Sequence, residues 1–155
     1  MPISGLDRTD RKILNYLQDN GRLTNAELAG LVNLSASACL RRTKLMEDSE
    51  LVERYALILD PKSCGYSGTA FVFVSLERQS RDALDRFERA VMTQPEILDC
   101  YLLAGQRDYL IRIIYKDTTD LERIHTEVLT DLPGVERVQS QLTLRTVKKT
   151  SKLPL

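Results

Sequence analysis

The chain has 155 residues, 43 % of them hydrophobic, with few glycines and prolines and no tryptophan. That is enough apolar material for one domain or two small ones and excludes a disordered or low-complexity protein. Its 22 basic and 22 acidic side chains cancel, which tells against nucleic-acid binding by bulk positive charge alone.

No stretch approaches the roughly 18 consecutive apolar residues of a membrane span, and Met1-Pro2-Ile3-Ser4-Gly5 lacks the basic start and apolar run of a secretory signal. A soluble, cytoplasmic protein is expected. Cys39, Cys64 and Cys100 are odd in number and lack the spacing of a zinc site or disulfide framework, so they read as reduced and structural.

From the start, Leu6, Ile13, Leu14 and Leu17 fall at helical spacing behind Asp7, a suitable N-cap, and predict a helix over residues 7–20 that Gly21 ends. Thr24-Asn25-Ala26-Glu27 is a capping box that opens a short second helix reaching Leu31 or Val32. Asn33-Leu34 gives a tight turn, since Asn tolerates positive φ, and Ser35 caps a third helix to about Asp48. Three helices with so short a last turn make a helix-turn-helix candidate. The third is the basic one: between Ser35 and Leu45 stand Arg41, Arg42 and Lys44 and no acid. The β-prone residues 51–59 predict a strand beside the helices, a wing-like element, and residues 61–68, with Pro, Gly and Ser, read as a hinge.

Beyond the hinge, residues 70–76 predict a strand, Leu84, Phe87 and Val91 a helix, and residues 97–103 and 109–115 two more strands. Thr119-Asp120-Leu121-Glu122 has capping-box form and opens a helix with Leu121, Ile124, Val128 and Leu132 inward, closed by Pro133-Gly134. A last strand over residues 135–147 completes the order βαββαβ, the ferredoxin-like arrangement with both helices on one face of an antiparallel sheet. The fold class is therefore α+β, divided into residues 1–60, a linker 61–68, and residues 69–155. Apolar residues alternate onto both faces of the strands, with Phe71 and Phe73 opposing Val72 and Val74, so the face without helices is expected to pack on a second copy of the chain.

These features converge on a known family. Leu6-Asp7, Asp10, Gly21-Arg22-Leu23-Thr24, Glu27-Leu28-Ala29, Leu34-Ser35 and Cys39-Leu40-Arg41-Arg42 stand in the first half. Gly105-Gln106-Arg107-Asp108-Tyr109-Leu110 and Leu132-Pro133-Gly134-Val135 match its G-x-x-D-Y-L and L-P-G-V segments, and the ending from Thr150 to Leu155 is similar to tails in one branch. In this order over nearly the whole chain they resemble the Lrp/AsnC, or feast/famine, regulators of bacteria and archaea. The resemblance implies a winged helix-turn-helix followed by a βαββαβ sensor domain that dimerises and assembles further, often to octamers. It also implies that an amino acid bound at sensor interfaces changes assembly or DNA affinity. Glu50 and Arg54 stand where the family usually has Gly, so the turn into the wing must be built differently or carry strain of roughly 1 kcal/mol or more.

Ser35, Ser37, Arg41, Arg42 and Lys44 are the candidate contacts to double-stranded DNA: hydroxyls at a helix start and arginines suit phosphates and guanine edges. All five cannot share one face at about 100° per residue. For the effector the candidates are Gly105, Gln106, Arg107 and Asp108, a loop with free backbone groups and a carboxylate. On residues alone a plain turn between two strands is the favoured reading, and the resemblance reverses it in favour of the ligand. Tyr101, Leu103 and Tyr109 would shape the pocket floor and favour a small or aliphatic amino acid, while Gln139 and Gln141 share a strand face that is either an interface pocket or solvated. His125 has no ligand partner at metal spacing, and no phosphate loop, nucleophile elbow or catalytic triad is present, so no catalytic residue, metal or cofactor is expected. Two other readings compete: a siroheme-decarboxylase-like enzyme, and a DNA organiser of little sequence preference.

Overall fold

The structure, a computed structural model, describes residues 5–155; the reading of Met1-Pro2-Ile3-Ser4 as lacking a signal falls outside them. The chain forms two compact units. One comprises the described residues up to Ile58 together with Lys148–Leu155, and the other is Leu59–Val147. Residues 148–155, grouped above with the sensor segment, thus pack in the first unit.

The first unit is built on three helices, α1 (Arg8–Asp19), α2 (Asn25–Val32) and α3 (Ala36–Asp48). Each begins at the N-cap that the sequence offers. Asp7 accepts the N–H groups of Thr9 and Asp10, Thr24 that of Glu27, and Ser35 that of Ala38. Asn33, at φ 56° and ψ 47°, is the left-handed residue that ends α2, and Asn25 Nδ2 donates to the Ala36 carbonyl at 2.8 Å, fixing the start of α3 against that of α2. Ile13, Leu14, Leu28, Ala29, Val32, Cys39 and Met46 close the core between them.

The strand expected over residues 51–59 does not form. The segment makes no ladder here, and Tyr55, Leu57, Ile58 and Leu59 are exposed. β-prone residues make a strand only where another strand accepts their backbone groups, and the chain offers none at this point. Tyr55 does lie against Gly21 and donates to Glu47 Oε1 at 2.7 Å. The hinge is also a structured turn: Ser63 donates its N–H (2.8 Å) and hydroxyl (2.6 Å) to Asp60 Oδ2, and Tyr66 N–H reaches the Pro61 carbonyl at 2.9 Å.

The second unit has the order β1 (Gly68–Leu76), α4 (Arg81–Val91), β2 (Ile97–Leu102), β3 (Tyr109–Tyr115), α5 (Thr118–Arg123), β4 (Val135–Leu142), and its antiparallel strands lie in the sheet order β2-β3-β1-β4. The last strand stops at Leu142 rather than Val147. The helical capping box expected at Thr119 is absent: Asp117 is the N-cap of α5, and the Asp120 carboxylate turns back to the Lys116 N–H. After Arg123 the helix widens to π-type hydrogen bonding over Ile124–Leu129, which Thr130 N–H closes on the His125 carbonyl. Phe87, Val91, Ile124, Leu129 and Leu132 cover the inner sheet face of Ala70, Val72, Val74, Ile111 and Ile113. On the outer face Leu110 lies between Phe73 and Tyr101, and Arg112, ion-paired with Asp99, lies opposite Phe71; Tyr101 and Phe71 are exposed.

Candidate DNA-binding face and effector site

α3 has one side in the core, through Cys39 and Met46, and the other in solvent. Ser37, Arg41 and Lys44 are all exposed, and at about 100° per residue they fall within an arc of about 60°, which makes one continuous face. Exposed Leu40 lies at its border, a position the charge pattern did not flag and one that suits a thymine methyl. Ser35 caps α3 and its hydroxyl also meets Ser37 Oγ at 3.3 Å, so it stands at the helix start.

Arg42 is placed differently. It is about 140° round the helix from Ser37, and its Nη1 donates to Asp7 Oδ2 and Asp10 Oδ1, both at 2.7 Å. Asp7 and Asp10 already cap each other's backbone at the start of α1, so Arg42 clamps that capping box to α3. The carboxyl of Asp7 is held below its ordinary range, first by the Asp10 N–H and then by Arg42. In this structure Arg42 is engaged inside the unit, in contacts that its sequence neighbourhood did not disclose.

In the second unit the effector candidates divide among three places. Tyr101, Gln139 and Gln141 lie on the outer sheet face, where Gln139 is opposite Phe73 and Gln141 opposite Phe71. Arg107 joins them: Nη2 donates to Gln139 Oε1 at 3.0 Å and Nη1 to Ser75 Oγ at 3.5 Å, both neutral partners.

The loop over residues 103–108 is closed by Leu103 N–H on the Asp108 carbonyl (2.8 Å), and its tip, Gly105 and Gln106, is exposed. Gly105 sits at φ 156° with open space around it, so its backbone and not crowding calls for glycine.

Asp108 is buried, and each of its oxygens accepts a hydrogen bond. Leu76 N–H donates to Oδ2 at 2.7 Å and Gln79 Nε2 to Oδ1 at 2.6 Å. The carboxylate thus pins the loop and the end of β1 rather than facing solvent.

Tyr109 points the other way. It is 1 % exposed, packs against Phe87 with ring centroids 4.4 Å apart and planes tilted by 34°, and donates to Glu88 Oε1 at 2.8 Å. Burial, and next the bond to Glu88, push its phenol well up. It forms the floor of an open groove between α4 and β2, not a pocket on the face of Tyr101. Gln79 and Glu88, which set these two residues, lie 29 and 21 positions away in the chain and gave no signal in it.

Comparison with known proteins agrees with this geometry. Residues 69–153 match the Lrp/AsnC ligand binding domain and residues 6–53 a winged helix-turn-helix DNA-binding domain. The chain belongs to the Lrp/AsnC family. It is a DNA-binding transcription regulator with a ligand-binding domain, as are its relatives. It is 37 % identical to the Bkd operon transcriptional regulator of Pseudomonas aeruginosa, over 97 % of this chain and 98 % of that one. It is 35 % identical to the leucine-responsive regulatory protein of Escherichia coli, over 98 % and 93 %. Among solved structures it is similar to an L-Met complex of a transcriptional regulator from Neisseria meningitidis, with TM-score 0.92, 42 % identity and 96 % of both chains covered. As an Lrp/AsnC protein it has the expected α+β architecture of DNA-binding and sensor domains.

Proposed function

We propose that this regulator reads operator DNA with Ser37, Arg41 and Lys44 of α3, Ser35 marking the helix start, and that Arg42 holds that helix in place. The observation that carries the reading is the exposed, acid-free face of α3, whose opposite side is locked into the core. Phosphates and guanine edges are the natural partners of such a face, and a neutral net charge leaves affinity to depend on placed contacts.

The effector is a free small or aliphatic amino acid taken where sensor domains meet. Arg107, whose hydrogen bonds go to neutral groups, supplies the cation for its carboxylate, with Gln139, Gln141, Tyr101 and the backbone of residues 103–106 around it. Leucine and methionine head the trial, since one relative is named leucine-responsive and another was solved with L-Met. Two copies meet through the outer sheet face and through the unpaired residues 51–59, and dimers assemble further, to octamers. The protein works in the cytoplasm and carries out no catalysis.

Selection of DNA from a random pool should return a defined site with wild type and none with the Arg41→Ala, Lys44→Ala pair. Selection by the pair as well would overturn the assignment. A thermal-shift screen of the twenty amino acids should single out few, because only a ligand of the folded state raises its midpoint; no shift, or a shift with a tetrapyrrole, would overturn the sensing role.

A further inference from the structure

Lys148–Leu155 packs with the first unit, across 133 or more residues of sequence from its contacts on α1. Gln18 holds both backbone groups of Leu153: Nε2 donates to the carbonyl at 3.2 Å and Oε1 accepts the N–H at 2.6 Å. A side-chain amide used in this way takes the place of a neighbouring strand and grips extended backbone whatever its side chain. Lys152 Nζ sits 2.6 Å from both oxygens of Asp19, and its N–H bonds Thr150 Oγ1 at 3.0 Å, which bends the segment onto the helix. Leu155 packs against the core cluster that contains Ile13 and Leu28.

We propose that Lys148–Leu155 is a strap, a peptide ligand carried by the chain itself and seated on the Gln18, Asp19 edge of α1, that reversibly braces the DNA-binding unit. Each contact is weak on its own. An exposed ion pair contributes little, one amide pair is modest, and Leu155 is only half-buried. A segment held this way exchanges between seated and released states rather than staying fixed. Its tether is short: residues 143–147 join it to β4, whose Gln139 and Gln141 lie on the outer sheet face. The same helix α1, with its N-cap Asp7, carries the partners of Arg42 on α3, Asp7 and Asp10.

The test uses the full chain and the variants Leu155→Asp and Gln18→Ala, with limited trypsin cleavage and backbone hydrogen exchange read together. Lys148, Lys149 and Lys152 are cleavage sites inside the strap itself. Cleavage there should be about tenfold faster in each variant, with exchange across α1 faster by about the same factor and β1 and β3 unchanged. Equally fast cleavage in wild type would show that the strap is not seated. Accelerated cleavage with unaltered α1 exchange would show that it braces nothing. Either result overturns the proposal.

Discussion

Arg42 and Asp10, 32 residues apart in the chain, meet at 2.7 Å and join the recognition helix to the first turn of α1. Arg41, the next residue along, is exposed and belongs to the face of Ser37 and Lys44. Adjacent arginines of identical chemistry therefore have different surroundings, one facing solvent and one paired within the unit.

Arg41→Ala should lower operator affinity by about tenfold, the cost of one charged contact to a base or phosphate, and leave the melting point unchanged. Arg42→Ala should lower the melting point of the DNA-binding unit and lose affinity only in proportion to that unfolding. Fluorescence anisotropy with the selected operator, paired with thermal unfolding, separates the two. An affinity loss for Arg42→Ala without a fall in melting point would place it on the DNA.

Glu50 takes φ 60° just after α3, in the left-handed region. A side chain with a Cβ is strained there, and Glu lacks the short amide that lets Asn tolerate it. Glu50→Gly should therefore stabilise the protein by about 1 kcal/mol, relief of strain outweighing the added freedom of the unfolded chain. Denaturant titration reads this directly. Arg54, the other departure from the family pattern, has no positive φ, and the same substitution there should bring no gain.

Acid should loosen the first unit through its caps. Asp7 is lowered from 3.8 by the Asp10 N–H and then by Arg42, and Glu27 from 4.5 by the Thr24 N–H and hydroxyl. A carboxyl whose folded pKa lies below its unfolded one contributes stability that is complete above the unfolded value. That contribution disappears as pH falls through the folded value. The melting point of this unit should thus decline as pH drops below about 4, and Asp7→Asn should flatten the decline. Far-ultraviolet melts across that range at constant ionic strength are the measurement; an unchanged slope in Asp7→Asn would contradict the role of the cap.

What was legible in the chain was local. Asp7, Thr24, Asn33 and Ser35 mark helix ends because a cap acts within three residues, and β3 was bounded correctly because alternation and its flanking loops both signal it. What was not legible depends on distant partners. Arg42 reads as a free cation until Asp7 and Asp10 are brought to it, and Tyr109 reads as a pocket wall until its register beside β1 turns it toward α4. At Thr119 the motif was present, but Asp117 lay two residues earlier and took the cap. The strap had no pattern to find, because Gln18 binds backbone atoms, which every sequence has.

Asp108 separates sensing from scaffolding. Its carboxylate is buried beneath the loop that carries Arg107, with one oxygen on Leu76 N–H and the other on Gln79. Direct pairing with a ligand's ammonium would require the buried carboxylate to be uncovered, since each oxygen retains a lone pair but none faces solvent. Holding the loop requires nothing further. Asp108→Ala leaves a buried N–H without an acceptor, a loss of about 1–3 kcal/mol, and should abolish the response to the amino acid by releasing the loop. Asp108→Asn keeps an oxygen for Leu76, and its amide can pair with the carbonyl of a turned Gln79, so both stability and response should survive. Calorimetric titration of the two variants with the amino acid chosen by the thermal-shift screen, beside their unfolding curves, decides between the roles. If Asp108→Asn melts like wild type yet no longer binds, the charge itself touches the ligand; if it binds normally, the carboxylate is a positioning group.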